Sequence, residues 1–182
     1  MSKVDEAVDC FCRGAACSQA IVGTYGPAVG LPREQGIKLA SGFAGGMRLA
    51  QTCGAVTGAF MVLGLKHAGL NCDQRDGRES VYAAIRAFTA TFQQRNHTVV
   101  CKELLGCDIS TPEGVQRATK EGLFRTICPR LVQDAAEILE EMLWVDSVDE
   151  VDLVDDVDAG ATRPRQRCPL CPSRPHSPSL AS

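Results

Sequence analysis

The chain has no excess of positive charge: 19 Lys and Arg against 22 Asp and Glu leave a formal charge of −3 over 182 residues. A protein that binds nucleic acid by neutralising phosphates needs the opposite balance, so no nucleic-acid partner is expected. Long hydrophobic runs are also missing. The most apolar stretch, Cys53 to Leu65, is too short for a membrane span and ends at Lys66 and His67. The opening residues, Met-Ser-Lys-Val-Asp-Glu, lack the basic-then-apolar layout of a signal peptide. A cytoplasmic protein without membrane insertion is the expectation. There is no Walker loop, no Rossmann fingerprint and no Ser-His-Asp signature. Gly42, Gly45 and Gly46 have no strand before them, and read better as a turn that brings backbone N–H groups toward Cys53. No segment alternates polar and apolar residues as a strand does.

What the chain does have is helical periodicity and cysteine. Val4–Cys12 reads as a short amphipathic helix stopped at Gly14, Cys17–Tyr25 as a second before Gly26-Pro27, and Arg33–Ala40 as a third. Cys53–Leu65 is uniformly apolar and therefore buried, with Gly54, Gly58 and Ala59 allowing a neighbouring backbone close. Val81, Ile85, Phe88 and Phe92 mark one face of a long helix, and Leu131, Ala135, Leu139 and Met142 repeat the pattern. Ser110-Thr111-Pro112-Glu113 supplies a capping residue, with Ser110 three before a carboxylate, and a first-turn proline. The fold class is all-α, a compact multi-helix bundle over residues 1–145. After Trp144 the chain turns acidic and then rich in Pro, Arg and Ser, so residues 146–182 read as a disordered tail.

Ten cysteines are many for such a chain, and in a reducing compartment they point to metal binding or catalysis before structural disulfides. Four share a context. Cys17 opens a helix after Gly14, Cys53 follows the N-cap candidate Thr52, Cys101 precedes the turn Lys-Glu-Leu-Leu, and Cys128 precedes Pro129 as an N-cap. A helix start offers unpaired N–H groups and partial positive charge. That environment favours the thiolate, which is both nucleophile and metal ligand. The separations between the four match neither a zinc ribbon nor a ferredoxin run.

The segments Gly14-Ala-Ala-Cys-Ser-Gln-Ala-Ile21, Ser41-Gly-Phe-Ala-Gly-Gly-Met47 and Thr52-Cys-Gly-Ala-Val-Thr-Gly-Ala59 resemble the C_GCAxxG_C_C family of redox-active proteins. So do Cys101-Lys-Glu-Leu-Leu-Gly106, Asp108-Ile-Ser-Thr-Pro-Glu-Gly114 and Cys128-Pro-Arg-Leu-Val132, the match being collinear over residues 3–143. Two positions depart from the family pattern: Ala16 stands where Asn is common, and Ala44 stands within the glycine run. The resemblance implies that Cys17, Cys53, Cys101 and Cys128 are the shared signature. A related module occurs in split-Soret cytochromes, which implies an iron–sulfur cluster, [2Fe–2S], on four Cys thiolates.

Three chemistries stay open at this point. The first is electron transfer or redox sensing through a four-cysteine iron–sulfur centre, with an unidentified redox partner protein. The second is a thiol–disulfide oxidoreductase using a pair of the same cysteines. The third is a structural zinc protein. Cys10, Cys12 and Cys72 read as incidental, while Cys107 is close enough to Cys101 in sequence to act as a resolving thiol. Cys168-Pro-Leu-Cys171 with His176 is half a zinc site at most. His67 and His97 read as cap or surface residues, with His97 placed to influence Cys101. The apolar helices leave room for a homodimer.

Overall fold

The computed structural model describes residues 2–69 and 75–144. The chain divides into Met1–Val148 and Asp149–Ser182. The expected boundary at 145, the expected tail, Cys168, Cys171, His176 and Cys72 all lie outside the described residues.

The described part is helical, as its periodicity requires. It comprises α1 (Lys3–Cys12), α2 (Cys17–Tyr25), α3 (Arg33–Ala40), α4 (Gly54–His67), α5 (Arg75–Asn96), α6 (Cys101–Leu105), α7 (Pro112–Lys120), α8 (Leu123–Thr126) and α9 (Cys128–Trp144). No strand forms among the described residues. Thr52 and Val100 make an isolated antiparallel bridge there.

Two hydrophobic cores result. The larger gathers α1, α2, α4, α5 and α9 around Ile21, Tyr25, Leu63, Phe88, Phe92 and Leu139, all fully buried. Phe88 stacks on Phe92 at 6.1 Å between centroids and meets Phe60 edge-on at 5.9 Å. Each such buried side chain is worth about 1.5–3 kcal/mol of transfer free energy. Tyr25 keeps its hydroxyl satisfied by donating to the Ala136 carbonyl or the Glu140 carboxylate, both at 3.3 Å. The smaller core collects Ala50, Cys101, Leu105, Cys107, Ile109 and Ala118 from the Gly46–Ala50 turn and the α6–α8 region.

The expected tight packing at α4 is borne out. A Cβ on Gly58 would meet the Ser18 carbonyl at 3.0 Å and Ile21 Cβ at 3.1 Å, so α2 crosses α4 at a distance only glycine permits. Ser18, fully buried beside it, donates to the Ala40 carbonyl at 2.8 Å and ties α2 to the end of α3.

One expected cap is corrected. Thr111, not Ser110, caps α7, accepting from Gly114 N–H at 3.1 Å. Pro112 forces the residue before it into extended backbone, which makes Thr111 the boundary. Ser110 instead donates to Asp108.

Candidate functional site

All four signature cysteines lie at helix starts, but two placements differ by a residue from the sequence reading. Cys17, Cys101 and Cys128 are the first residues of α2, α6 and α9, while Cys53 is itself the N-cap of α4. Thr52 is therefore not the cap, because its backbone is held in the bridge to Val100. Cys128 is not a cap either: the Ile127 carbonyl accepts from Arg130 and Leu131, which places the boundary one residue earlier. At Ala16, which has no side-chain acceptor, Gln19 compensates by accepting from the Ala16 N–H at 3.1 Å.

The bridge positions two of the four. Cys53 N–H donates to the Val99 carbonyl at 2.8 Å, and Cys101 N–H donates to the Gln51 carbonyl at 2.6 Å. These bonds hold the first residue of α6 beside the cap of α4 across a long stretch of sequence. A second constraint positions Cys17. A Cβ on Gly54 would stand 2.7 Å from Cys17 Sγ and 3.0 Å from Ala44 Cα, so the thiol occupies space that only glycine leaves.

Cys17, Cys53, Cys101 and Cys128 line one cavity of about 280 Å³. Its other walls are Phe11, Leu105, Ile109, Phe124 and Leu131, with Ala16, Gly45 and one charged residue, Arg48. The cavity sits at the seam of the two cores. Cys53 is buried in the larger core and Cys17 packs against it; Cys101 is buried in the smaller and Cys128 packs against that one. Among the described residues, no carboxylate or imidazole lines the cavity. Among the described residues, no three His, Cys, Asp or Glu side chains are arranged to hold a single metal ion. The described cysteines are free thiols.

Helix-start placement does not win the thiols their expected acidity. Burial pushes Cys101 and Cys128 up to about 12, with neighbouring thiols adding to the rise. Cys53 is raised well above 9.0, first by burial and then by Cys17, Cys101 and Cys128, against one opposing hydrogen bond from Ala55 N–H. Desolvation of a charged sulfur outweighs the local dipole when the site is this dry. Without a cation in their midst, these three thiols keep their protons.

The remaining candidates fall elsewhere. Cys107 is buried in the small core and donates its thiol to the Gly114 carbonyl at 3.2 Å, so it packs rather than lining the cavity. Cys10 is buried and accepts from Arg33 at 3.6 Å, and Cys12 is exposed. His97 follows α5 with a left-handed φ of 66° and lines a separate groove with Arg95 and Glu103. His67 ends α4.

The glycine turn carries the largest departure from expectation. Gly45, Gly46, Met47, Arg48 and Ala50 all have positive φ. A left-handed run through non-glycine residues costs about 1–2 kcal/mol per residue. Two glycines signal such a turn in the sequence, but nothing signals that Met47, Arg48 and Ala50 continue it. Arg48 reaches the cavity through this turn.

Residues 15–142 match the family described as "Putative redox-active protein (C_GCAxxG_C_C)". The chain belongs to this family. The matched span runs from before Cys17 to beyond Cys128, so the C_GCAxxG_C_C domain contains all four cysteines of the cavity and all of its lining except Phe11. No curated protein and no solved structure matches the chain. Among the described residues, no helix of this C_GCAxxG_C_C protein is long and apolar enough to cross a membrane.

Proposed function

We propose that this protein transfers electrons, or senses redox state, through an iron–sulfur cluster held by Cys17, Cys53, Cys101 and Cys128. The observation that carries the reading is the convergence of these four thiols, two from each hydrophobic core, on one cavity with apolar walls. Membership of a redox-active family supports it. The donor set fits: four soft sulfurs and no oxygen or imidazole donor suit iron–sulfur chemistry or zinc. Zinc in a structural site wants four donors on one ion. A cavity of about 280 Å³ suits the larger group better. Of the cluster types that four cysteines can ligate, [2Fe–2S] is the one proposed.

When bound, the cluster supplies a one-electron couple. The chain's own residues define how it is held. The Thr52–Val100 bridge fixes Cys53 against Cys101, and Gly54 leaves room for Cys17. Leu105, Ile109, Phe124 and Leu131 would surround the cluster with apolar side chains. Because Cys53, Cys101 and Cys128 hold their protons in the empty cavity, loading releases protons and strengthens as pH rises. The same property weighs against Cys53, Cys101 or Cys128 as the attacking sulfur of a thiol–disulfide oxidoreductase, which must ionise near neutral pH.

Anaerobic purification with visible spectroscopy and metal and sulfide analysis tests the proposal. The expected product is brown, with about two irons and two acid-labile sulfides per chain. A colourless protein with one zinc contradicts it in favour of a structural metal. A metal-free protein with a reversible pair of reactive thiols contradicts it in favour of disulfide chemistry.

A further inference from the structure

We infer that Arg48 makes the cysteine cavity selective for small negatively charged molecules, acting as the specificity-determining residue of its mouth. The inference rests on the same cavity as the proposed function, and it deepens that reading by naming the charge class the site admits.

Three observations carry it. Among the described residues, Arg48 is the one charged side chain in the cavity lining, where every other wall is apolar, a glycine or a thiol. It makes no ion pair or hydrogen bond among the described residues, so no carboxylate there stands within ion-pair distance of it. Its guanidinium folds back over the wall, with Nη1 3.9 Å from where a Cβ on Gly45 would stand. The backbone supports the same conclusion. Arg48 has φ 59° and ψ 11°, inside a left-handed turn that a glycine would enter at lower cost. Space and backbone alone therefore do not account for arginine at this position. The side chain also borders an outer groove with Ser110, Thr111 and Glu113, and Glu113 lies beyond ion-pair distance of it.

An unneutralised cation at the mouth of a low-dielectric cavity concentrates anions there and repels cations. Cys17 and Cys128 are half-buried, so a small molecule that enters meets a sulfur; Cys53 and Cys101 lie deeper.

Alkylation measures this without any cofactor. Iodoacetate and iodoacetamide have nearly the same shape but differ by one negative charge. In both reactions the thiolate sulfur forms a bond to the CH2 carbon and iodide leaves, so no oxidant is needed. The full-length chain, reduced and stripped of metal with a chelator, would be treated with each reagent and the rates at single cysteines read by peptide mapping. At low salt, Arg48→Gln should lower the iodoacetate-to-iodoacetamide rate ratio at Cys17 and Cys128 about fivefold. Arg48→Lys should retain most of the preference. Arg48→Gly, which relieves the backbone while removing the charge, should lose it as Arg48→Gln does. The wild-type preference should shrink in high salt, and the ratio at exposed Cys12 should not change. Equal changes for both reagents, the signature of a disturbed turn, would overturn the inference, as would no change in either. Iron content plays no part in this readout, so its outcome is separable from that of the cluster assignment.

Discussion

The larger core and the smaller one are held together by different means. Around α2, α4, α5 and α9 the chain buries two phenylalanines, a tyrosine and a dense set of aliphatic side chains. Long helices and glycine-mediated contact at Gly58 make this region self-sufficient. The small core has no fully buried aromatic, and two of its buried members are the thiols Cys101 and Cys107. Its helices α6 and α8 span five and four residues, too short to persist without tertiary support. That support comes from the Thr52–Val100 bridge, the Cys107 contact to Gly114 and, in the proposed function, the four-thiolate centre. One core is stabilised by burial. Under the proposed function the other would borrow stability from the site, because metal binding becomes folding free energy where the apo segment is marginal.

The contrast is broken most forcefully by emptying each core in turn. Phe92→Ala should cost about 3–5 kcal/mol and lower the cooperative thermal transition of the whole domain. Ile109→Ala should cost less globally, yet speed hydrogen exchange in α6–α8 and weaken retention of the centre. Equal losses of Tm from the two substitutions would mean that the cores are one cooperative unit. A somewhat smaller effect is expected of Gly54→Ala, about 1–3 kcal/mol of overpacking, because the added methyl stands against Cys17 Sγ and Ala44 Cα. It should also lower bound iron, whereas a substitution at Gly64, with open space around it, should not.

Much of this organisation was legible in the sequence. Gly14, the Gly26-Pro27 pair and Pro112 mark helix limits by what glycine and proline do to the backbone. The face carrying Phe88 and Phe92 follows from spacing alone. The candidate cysteines were recognisable as a set because each stands at a helix start. The bridge between Thr52 and Val100 was not legible, since one residue pair carries no strand alternation. Depth was missing too. A helix start announces a dipole locally, but only the packed fold reveals that Cys53, Cys101 and Cys128 are desolvated enough to reverse its effect. Arg48 was passed over for a related reason: an arginine beside glycines gives no sign of a left-handed turn that swings it to a cavity.

A gentler way to sharpen the contrast is pH. Metal-free Cys101 and Cys128 hold their protons more tightly folded than unfolded, so their contribution to stability is complete below about pH 9. It is lost as pH rises from the unfolded value of 9.0 toward the folded value of about 12. Tyr25, also raised by burial, has the same sign at still higher pH. Melting of the metal-free protein should therefore fall as pH is raised from 9 toward 12, first in α6–α8. Loaded protein, with its thiolates already deprotonated, should show little change. A metal-free protein that gained stability over this range would contradict the burial of the thiols. The smallest effect is expected at Met47. Met47→Gly removes a left-handed penalty from a partly exposed residue and should stabilise by about 1 kcal/mol, visible as a small rise in Tm.

The most direct test is the amount of iron and acid-labile sulfide per chain in anaerobically purified single Cys→Ser variants. Substituting Cys17 or Cys53 from the larger core, or Cys101 or Cys128 from the smaller, should each abolish retention of the centre. Cys107→Ser and Cys168→Ser should leave it in place. Undiminished iron in a Cys128→Ser protein, or equal loss from Cys107→Ser, would contradict a single centre shared by the two cores.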